Sequence, residues 1–348
     1  MRYGRGALGM VEGPEVMGLS NVPSDQIRLL TKVARMYHER GMRQPQIAEQ
    51  LHISQPRVSR LLKRAVDLGI VRTTVVTPRG VHADIEEQIE QSYGLSEIVV
   101  VDTGDHADEH QVMRALGSAA AVYLETTLMG GERIGVSSWS STLLATVESM
   151  SPRPTPVADK VVQMLGGVGN VTAQTQATRI TGRLAALTGA TPVYLPAPGL
   201  LASGDMRQMI VTDPNIQSAL AACEDLTMAL VGIGSIEPSP LLRESGNAFD
   251  ESEIPDLQAA GAIGDVCMRF FDERGEHLKT RLDERVLGIR AETLRLVPRR
   301  VGIAGGARKQ TAVQAALLGG WINVLITDLQ TAQWLSTPST LADLQAAD

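Results

Sequence analysis

Between Gln55 and Arg64 the sequence alternates two kinds of residue at helical spacing. Val58, Leu61, Leu62 and Ala65 fall on one face, and Gln55, Arg57, Ser59, Arg60, Lys63 and Arg64 on the other. Amide and guanidinium groups can pair two atoms of a base edge at once, while the remaining cations neutralise phosphates. Such a face suits the major groove of double-stranded DNA. On an ordinary solvated helix the same residues would only be a polar surface, so the flanking elements decide.

Those elements agree. Ile47, Ala48 and Leu51 give a short amphipathic helix opening at Gln44-Pro45, and His52 and Ile53 form a tight turn. Ser54 then stands at an N-cap position, its hydroxyl able to accept from the third helical N–H, and Pro56 falls in the first turn, where a missing N–H costs nothing. Two helices joined by a short turn, the second cationic, are a helix-turn-helix. Ile27, Leu29, Leu30, Val33, Ala34 and Tyr37 predict a supporting helix ending near Gly41. After Gly69, the residues Ile70, Val71, Thr73, Val75 and Val76 predict the strand of a wing, with Arg72 and Arg79 toward backbone phosphates. The expected DNA contacts are Gln44, Ser54, Gln55, Arg57, Ser59, Arg60, Lys63, Arg64 and Arg72, with Gln55, Arg57 and Arg60 nearest the bases. Charge supports this: residues 21–80 carry 11 Lys or Arg against 4 Asp or Glu, whereas the whole chain is at −7.

At 348 residues and 43% hydrophobic, the chain is long enough for two or three domains with a sizeable core. No apolar run reaches membrane-spanning length, and the glycine-rich first 20 residues lack a signal-peptide core, so a cytoplasmic protein with no membrane partner is expected. Cys223 and Cys267 have no CxxC spacing and read as small buried hydrophobes. His106 and His110, at i, i+4 among Asp105, Asp108 and Glu109, read as a solvated helix start. Neither a metal nor a cofactor is expected.

Residues 1–20 lack periodicity and are expected to be a disordered extension; 21–80 form the winged head. Residues 81–94 are a linker helix with Ile85, Ile89 and Tyr93 on one stripe, able to cover the large domain or to pair with its twin. Residues 95–348 form the large domain. There, short β-branched runs at 98–101, 133–136, 161–165, 193–195, 226–233, 262–270, 300–304 and 324–327 alternate with Ala-rich helical stretches such as 109–128, 141–149 and 173–187. This is the rhythm of a doubly wound, mostly parallel α/β sheet. Ligands settle at the C-terminal ends of such strands. Three loops there draw attention: Ser137-Ser138-Trp139-Ser140-Ser141-Thr142, with hydroxyls and an aromatic suited to a phosphate or sugar; Gly166-Gly167-Val168-Gly169-Asn170, followed by Gln176 and Arg179; and Gly305-Gly306-Ala307-Arg308-Lys309. Each could also be merely a tight turn.

The ordered motifs resemble the SorC family of bacterial transcriptional regulators. The similarity covers nearly everything after residue 25. It rests on QPQIA and SQPRVSRLL in the head, then IGVSSWSSTL (134–143), QMLGGVGN (163–170), LPAPG (195–199), VGIGS (231–235), GAIGD (261–265), IAGGARK (303–309) and LITD (325–328). The resemblance implies a helix-turn-helix joined to a sugar-binding domain related to sugar-phosphate isomerases and deaminases. It implies an effector phosphate at Ser140, Ser141 and Thr142, sugar partners at Gln176, Asp265 and Lys309, and Arg243 as an extra cation. Bisphosphate-binding members can place an Arg before the Gly-Gly turn. This chain has Leu165, which argues for one phosphate or a bare polyol.

Two functions compete on these grounds. One is a regulator of carbohydrate metabolism that binds operator DNA as a homodimer or homotetramer under control of a sugar or sugar phosphate. The alternative is a sugar-phosphate isomerase- or deaminase-like enzyme carrying a DNA-binding head, in which Asp265 would serve as general base; it has no evident His partner nearby in sequence.

Overall fold

The computed structural model describes residues 22–71, 80–104, 107–245, 247 and 251–337, which belong to two compact units divided between Val76 and Thr77. The expected extension at 1–20 lies outside the described residues.

In the first unit, α1 (Ser24–His38), α2 (Gln44–Leu51) and α3 (Gln55–Asp67) enclose Leu30, Val33, Ile47, Val58, Leu61, Leu62 and Ala65. The core face of α3 is the one its spacing predicts. Gln46 caps the start of α2, accepting from Arg43 N at 2.9 Å. His52 ends that helix with φ of 51°, a left-handed position where glycine or asparagine is usual, and Ile53 N closes the turn onto Ala48 O at 3.0 Å. Ser54 occupies the N-cap of α3, but its hydroxyl makes no bond to the helix start. The Ser54 carbonyl instead receives Arg57 N and Val58 N. The predicted wing strand falls, with Arg72 and Arg79, mostly on 72–79, outside the described residues; its first two residues, Ile70 and Val71, are not in a strand and pack on the head core.

The second unit opens with α4 (Ala83–Tyr93), followed by β1 (Glu97–Val101), α5 (Glu109–Thr127), β2 (Glu132–Val136), α6 (Ser141–Ser149), β3 (Ala158–Gln163) and α7 (Val171–Thr188). Next come β4 (Thr191–Val193), α8 (Gly204–Ile210), α9 (Pro214–Ala221), β5 (Met228–Val231), β6 (Gly234–Ser235), α10 (Pro240–Ser245), α11 (Ile254–Ala259), β7 (Gly264–Val266) and β8 (Arg269–Phe271). The described residues close with α12 (Ala291–Leu296), β9 (Arg299–Ile303), α13 (Gln310–Leu318), β10 (Val324–Asp328) and α14 (Leu329–Leu335). Seven strands form a parallel sheet in the order β1-β10-β9-β5-β2-β3-β4.

Both faces of this sheet are covered, so its strands read as continuous apolar runs rather than as an alternation of apolar and polar. Val161, Met228 and Leu230 pack with Leu116, Leu124, Leu143 and Leu184 of α5, α6 and α7. Val162, Ala229 and Val231 pack on the opposite face with Leu294, Val313 and Leu335 of α12, α13 and α14.

One expectation fails. Residues 262–270 are not a strand of the parallel sheet; they fold into the antiparallel hairpin β7–β8, which joins β6 in a separate three-stranded sheet. The turn is Cys267-Met268, with φ of 53° and 60°. A two-residue turn with both φ positive normally takes Asn-Gly, so nothing in the local residue types announces it.

Candidate functional site

Strand order places the site. From β2 the chain winds outward through β3 and β4, then returns to β5 on the other side of β2 and proceeds to β9 and β10. The crevice at the C-terminal ends of β2 and β5 is therefore the switch point of a doubly wound sheet, where such folds bind ligands. The hydroxyl-rich loop follows β2, and the loop bearing Lys309 follows β9, the next strand beyond β5.

Within the first loop the hydroxyls divide into two groups. Ser138 is fully buried, donating to Leu165 O at 2.6 Å and accepting from Gln163 Nε2 at 3.0 Å. Ser137 is buried too, and Trp139 turns its indole into an apolar cluster while Nε1 donates to Gly166 O at 3.0 Å. These three build the wall. Ser140 caps α6, accepting from Leu143 N at 3.2 Å, and Ser141 and Thr142 stand half-exposed in the first helical turn, whose N–H groups include the orphan donors of a helix start. A side chain at Gly232, just after β5, would press on the Ser140 hydroxyl, so that glycine admits the loop to the crevice.

Asp265 and Lys309 belong to the same exit of β5, where Gly234 follows Gly232 by two residues. Asp265 lies on β7 and accepts from Met268 N at 2.8 Å across the strained turn; a methyl group at Gly234 would overlap its carboxylate. Lys309 caps α13. Each residue keeps some surface open, yet the charged ends sit deep: burial raises the Asp265 pKa to about 6, against the pull of Met268 N–H and Lys309, and burial lowers that of Lys309. The two charges act on each other without closing to an ion pair. A carboxylate, an ammonium and a helix start around one crevice can hold a hydroxylated, anionic molecule.

The other expected residues are placed differently. Gly166 and Gly167 admit protein rather than ligand: a methyl at Gly166 would overlap the carbonyls of Ala197 and Pro198, and one at Gly167 the Gln163 amide. Arg243 is exposed on α10. Gln176 lies in α7, with its side chain outside the described residues. Arg308 is exposed at the rim, 3.1 Å from Glu109 and 3.5 Å from Glu237. Three buried polar residues were not anticipated. Gln163 and Asp328 are two, and the third is Asn247, which accepts from Gly199 N at 2.6 Å and donates to Val168 O at 2.9 Å. Among the described residues no group of acidic, His or Cys side chains could hold a metal.

In the first unit, Ser54, Gln55, Arg57, Ser59, Arg60, Lys63 and Arg64 are all exposed on α3 and its cap, with Gln44 half-buried at the start of α2. This polar face is continuous and cationic. Arg60 Nε donates to Pro56 O at 3.3 Å, which draws the guanidinium stem along the helix toward its N-terminal turn. No helix among the described residues is long and apolar enough to cross a membrane.

Comparison with known proteins matches both units. Residues 80–335 fit the Sugar-bind model of a sugar-binding domain, and residues 23–74 a homeodomain-like domain. The deoxyribonucleoside regulator of Bacillus subtilis is 33% identical over 88% of this chain and 97% of its own. The sorbitol operon regulator of Klebsiella pneumoniae is 33% identical over 90% and 98%. The crystal structure of full-length SorC from Klebsiella pneumoniae superposes with a TM-score of 0.67 at 31% identity, covering 90% of this chain and all of that one. The relatives are named as regulators, and with a DNA-reading head followed by a sugar-binding domain on a parallel sheet the chain belongs to the SorC family of transcriptional regulators.

Proposed function

We propose that the protein is an operator-binding regulator whose effector is a sugar or polyol bearing one terminal phosphate. The observation that supports this best is the separation of Asp265 from Lys309 at the switch point. An unclosed pair of half-buried opposite charges leaves room for a hydroxyl at the carboxylate and an anion at the ammonium. Ser140, Ser141 and Thr142 would hold the phosphate by hydroxyl and backbone N–H groups, with Gln176 and Arg243 completing the surroundings. Leu165 is buried in an apolar cluster, so no cation stands there to meet a second phosphate.

On the DNA side, Gln55, Arg57 and Arg60 would read base edges, and Gln44, Ser54, Ser59, Lys63, Arg64 and Arg72 would hold the backbone. Two heads are needed for two half-sites, so the working form is a homodimer or homotetramer, acting in the cytoplasm on chromosomal DNA. The relatives named for sorbitol and deoxyribonucleosides suggest which molecules to try: a hexitol and a deoxypentose, each with and without its terminal phosphate. A thermal-shift screen of the full chain tests the reading, since a ligand at 100 times its Kd stabilises by about 2.7 kcal/mol. Stabilisation by a phosphorylated member supports it, and none by any phosphorylated sugar or polyol would overturn it.

A further inference from the structure

Helix α14 joins the loop that carries Lys309 to the linker helix. At its start, Asp328 is 1% exposed and its two carboxylate oxygens divide their work. Oδ1 accepts from Thr331 N at 3.0 Å, capping the helix; Oδ2 accepts from Thr331 Oγ1 at 2.7 Å and from Gly306 N at 2.6 Å. Thr331 Oγ1 also lies 3.2 Å from Gly306 N, and a methyl group at Gly305 would overlap the same carboxylate. Gly306 itself has φ of 89°, a conformation that other residues rarely adopt. The Gly305–Lys309 loop is therefore fastened to the cap of α14.

The other end of α14 meets α4. The carbonyls of Leu335 and Ser336 accept from Tyr93 OH and Gln88 Nε2, both at 3.3 Å, while Ala332 and Leu335 share a fully packed cluster with Ile89. In turn, α4 spans the open edge of the sheet: Glu86 and Glu90, one helical turn apart, accept from Val100 N and Ile98 N of β1 at 2.9 Å each. These are alternate residues of the edge strand, and their N–H groups would otherwise offer a pairing edge.

We infer that Asp328 is a positioning residue for the Lys309 loop and that α14 is the lever through which occupancy of the crevice bears on α4, the segment that leads in sequence to the DNA-reading head. The inference rests on the reading of the crevice as the effector site. A seven-residue helix is packed at both ends in a core that transmits displacement rather than absorbing it. An effector that moves Gly306 must either break the Asp328 cap or shift the helix, and a shifted helix reaches Tyr93 and Gln88. Such a route counts as coupling only when a perturbation at one end is read at the other.

Hydrogen–deuterium exchange on the full chain without ligand supplies that reading. Asp328→Asn replaces one acceptor oxygen by an NH2 group, which must then face either Gly306 N–H or Thr331 N–H. Thr331→Val removes only the hydroxyl and keeps the shape, so it serves even if Asp328→Asn fails to fold; Thr331→Ser should restore wild-type exchange. Both disruptive variants should speed exchange at Gly306 roughly tenfold, and should also speed it several-fold in the second half of α4 and at Ile98 and Val100, with α6 unchanged, as expected for loss of a hydrogen bond to a charged group. Tyr93→Phe, made at the far end, should raise exchange in α4 and the last turn of α14. If Thr331→Val loosens the loop and the first turn of α14 while α4, Ile98 and Val100 keep their wild-type rates, the lever is wrong. Because no ligand is present, that result would leave the effector assignment to its own binding assay.

Discussion

Gln163 and Ser138 fasten the loop after β2 to the segment after β4: Gln163 Nε2 donates to Ser138 Oγ at 3.0 Å, while Gln163 Oε1 accepts from Leu195 N at 3.0 Å. One buried amide thus links β3, the loop after β2 and the segment after β4. Gln163→Leu keeps the volume but strands a backbone N–H, at a cost of about 3 kcal/mol. In a domain this large, Tm should fall by roughly 6–12 °C. An unchanged Tm in thermal denaturation would show that the amide organises nothing.

Asp265 should give the protein a pH signature. Burial raises its folded pKa to about 6 from an ordinary 3.8, so between these values the folded chain holds a proton that the unfolded chain has lost. The contribution is complete below the unfolded value and is lost as pH rises toward 6, amounting to on the order of 3 kcal/mol. Urea unfolding of wild type and Asp265→Asn at steps from pH 4 to 7 should show the variant gaining on wild type up to pH 6 and not beyond. A constant difference across the range contradicts the assignment.

Arg60→Ala should weaken operator binding by about 1 to 3 kcal/mol and relax preference at one base pair. Lys63→Ala should weaken all sequences alike and reduce the salt slope by about one. Fluorescence anisotropy at fixed salt, on operator and scrambled duplexes, separates the two. Equal loss on both duplexes for Arg60→Ala would move that residue to the backbone.

Assembly follows from DNA geometry. Half-sites lie about 34 Å or a multiple apart, so two heads must be held together by contacts outside them. Sedimentation of the full chain at micromolar concentration should show a dimer or tetramer with and without operator. A monomer in both conditions would contradict this.

What was legible in the sequence was what depends on near neighbours. Val58, Leu61, Leu62 and Ala65 announce a helix face by spacing alone, and the β-branched runs announce a parallel sheet because both its faces are covered. The hydroxyl-rich loop stands out by residue type, but the division of labour within it does not. Trp139 points inward because Gly166 O and a cluster from distant segments receive it. Asn247 works on Gly199, and Asp328 on Gly306, across separations that no local pattern encodes. The β7–β8 hairpin escaped for a different reason: its turn uses Cys267 and Met268, residues that rarely take positive φ.

Calorimetry on Lys309→Ala tests the effector crevice most directly. With a phosphorylated sugar or polyol that stabilises the wild type, the variant's Kd should rise roughly tenfold to a hundredfold, the equivalent of about 1.5 to 3 kcal/mol for a hydrogen bond to a charged group. The dephosphorylated form should bind both proteins weakly, and operator affinity without effector should not change. Undiminished affinity in Lys309→Ala, or equally tight binding of the dephosphorylated sugar by the wild type, would contradict the phosphate site at Ser140, Ser141, Thr142 and Lys309.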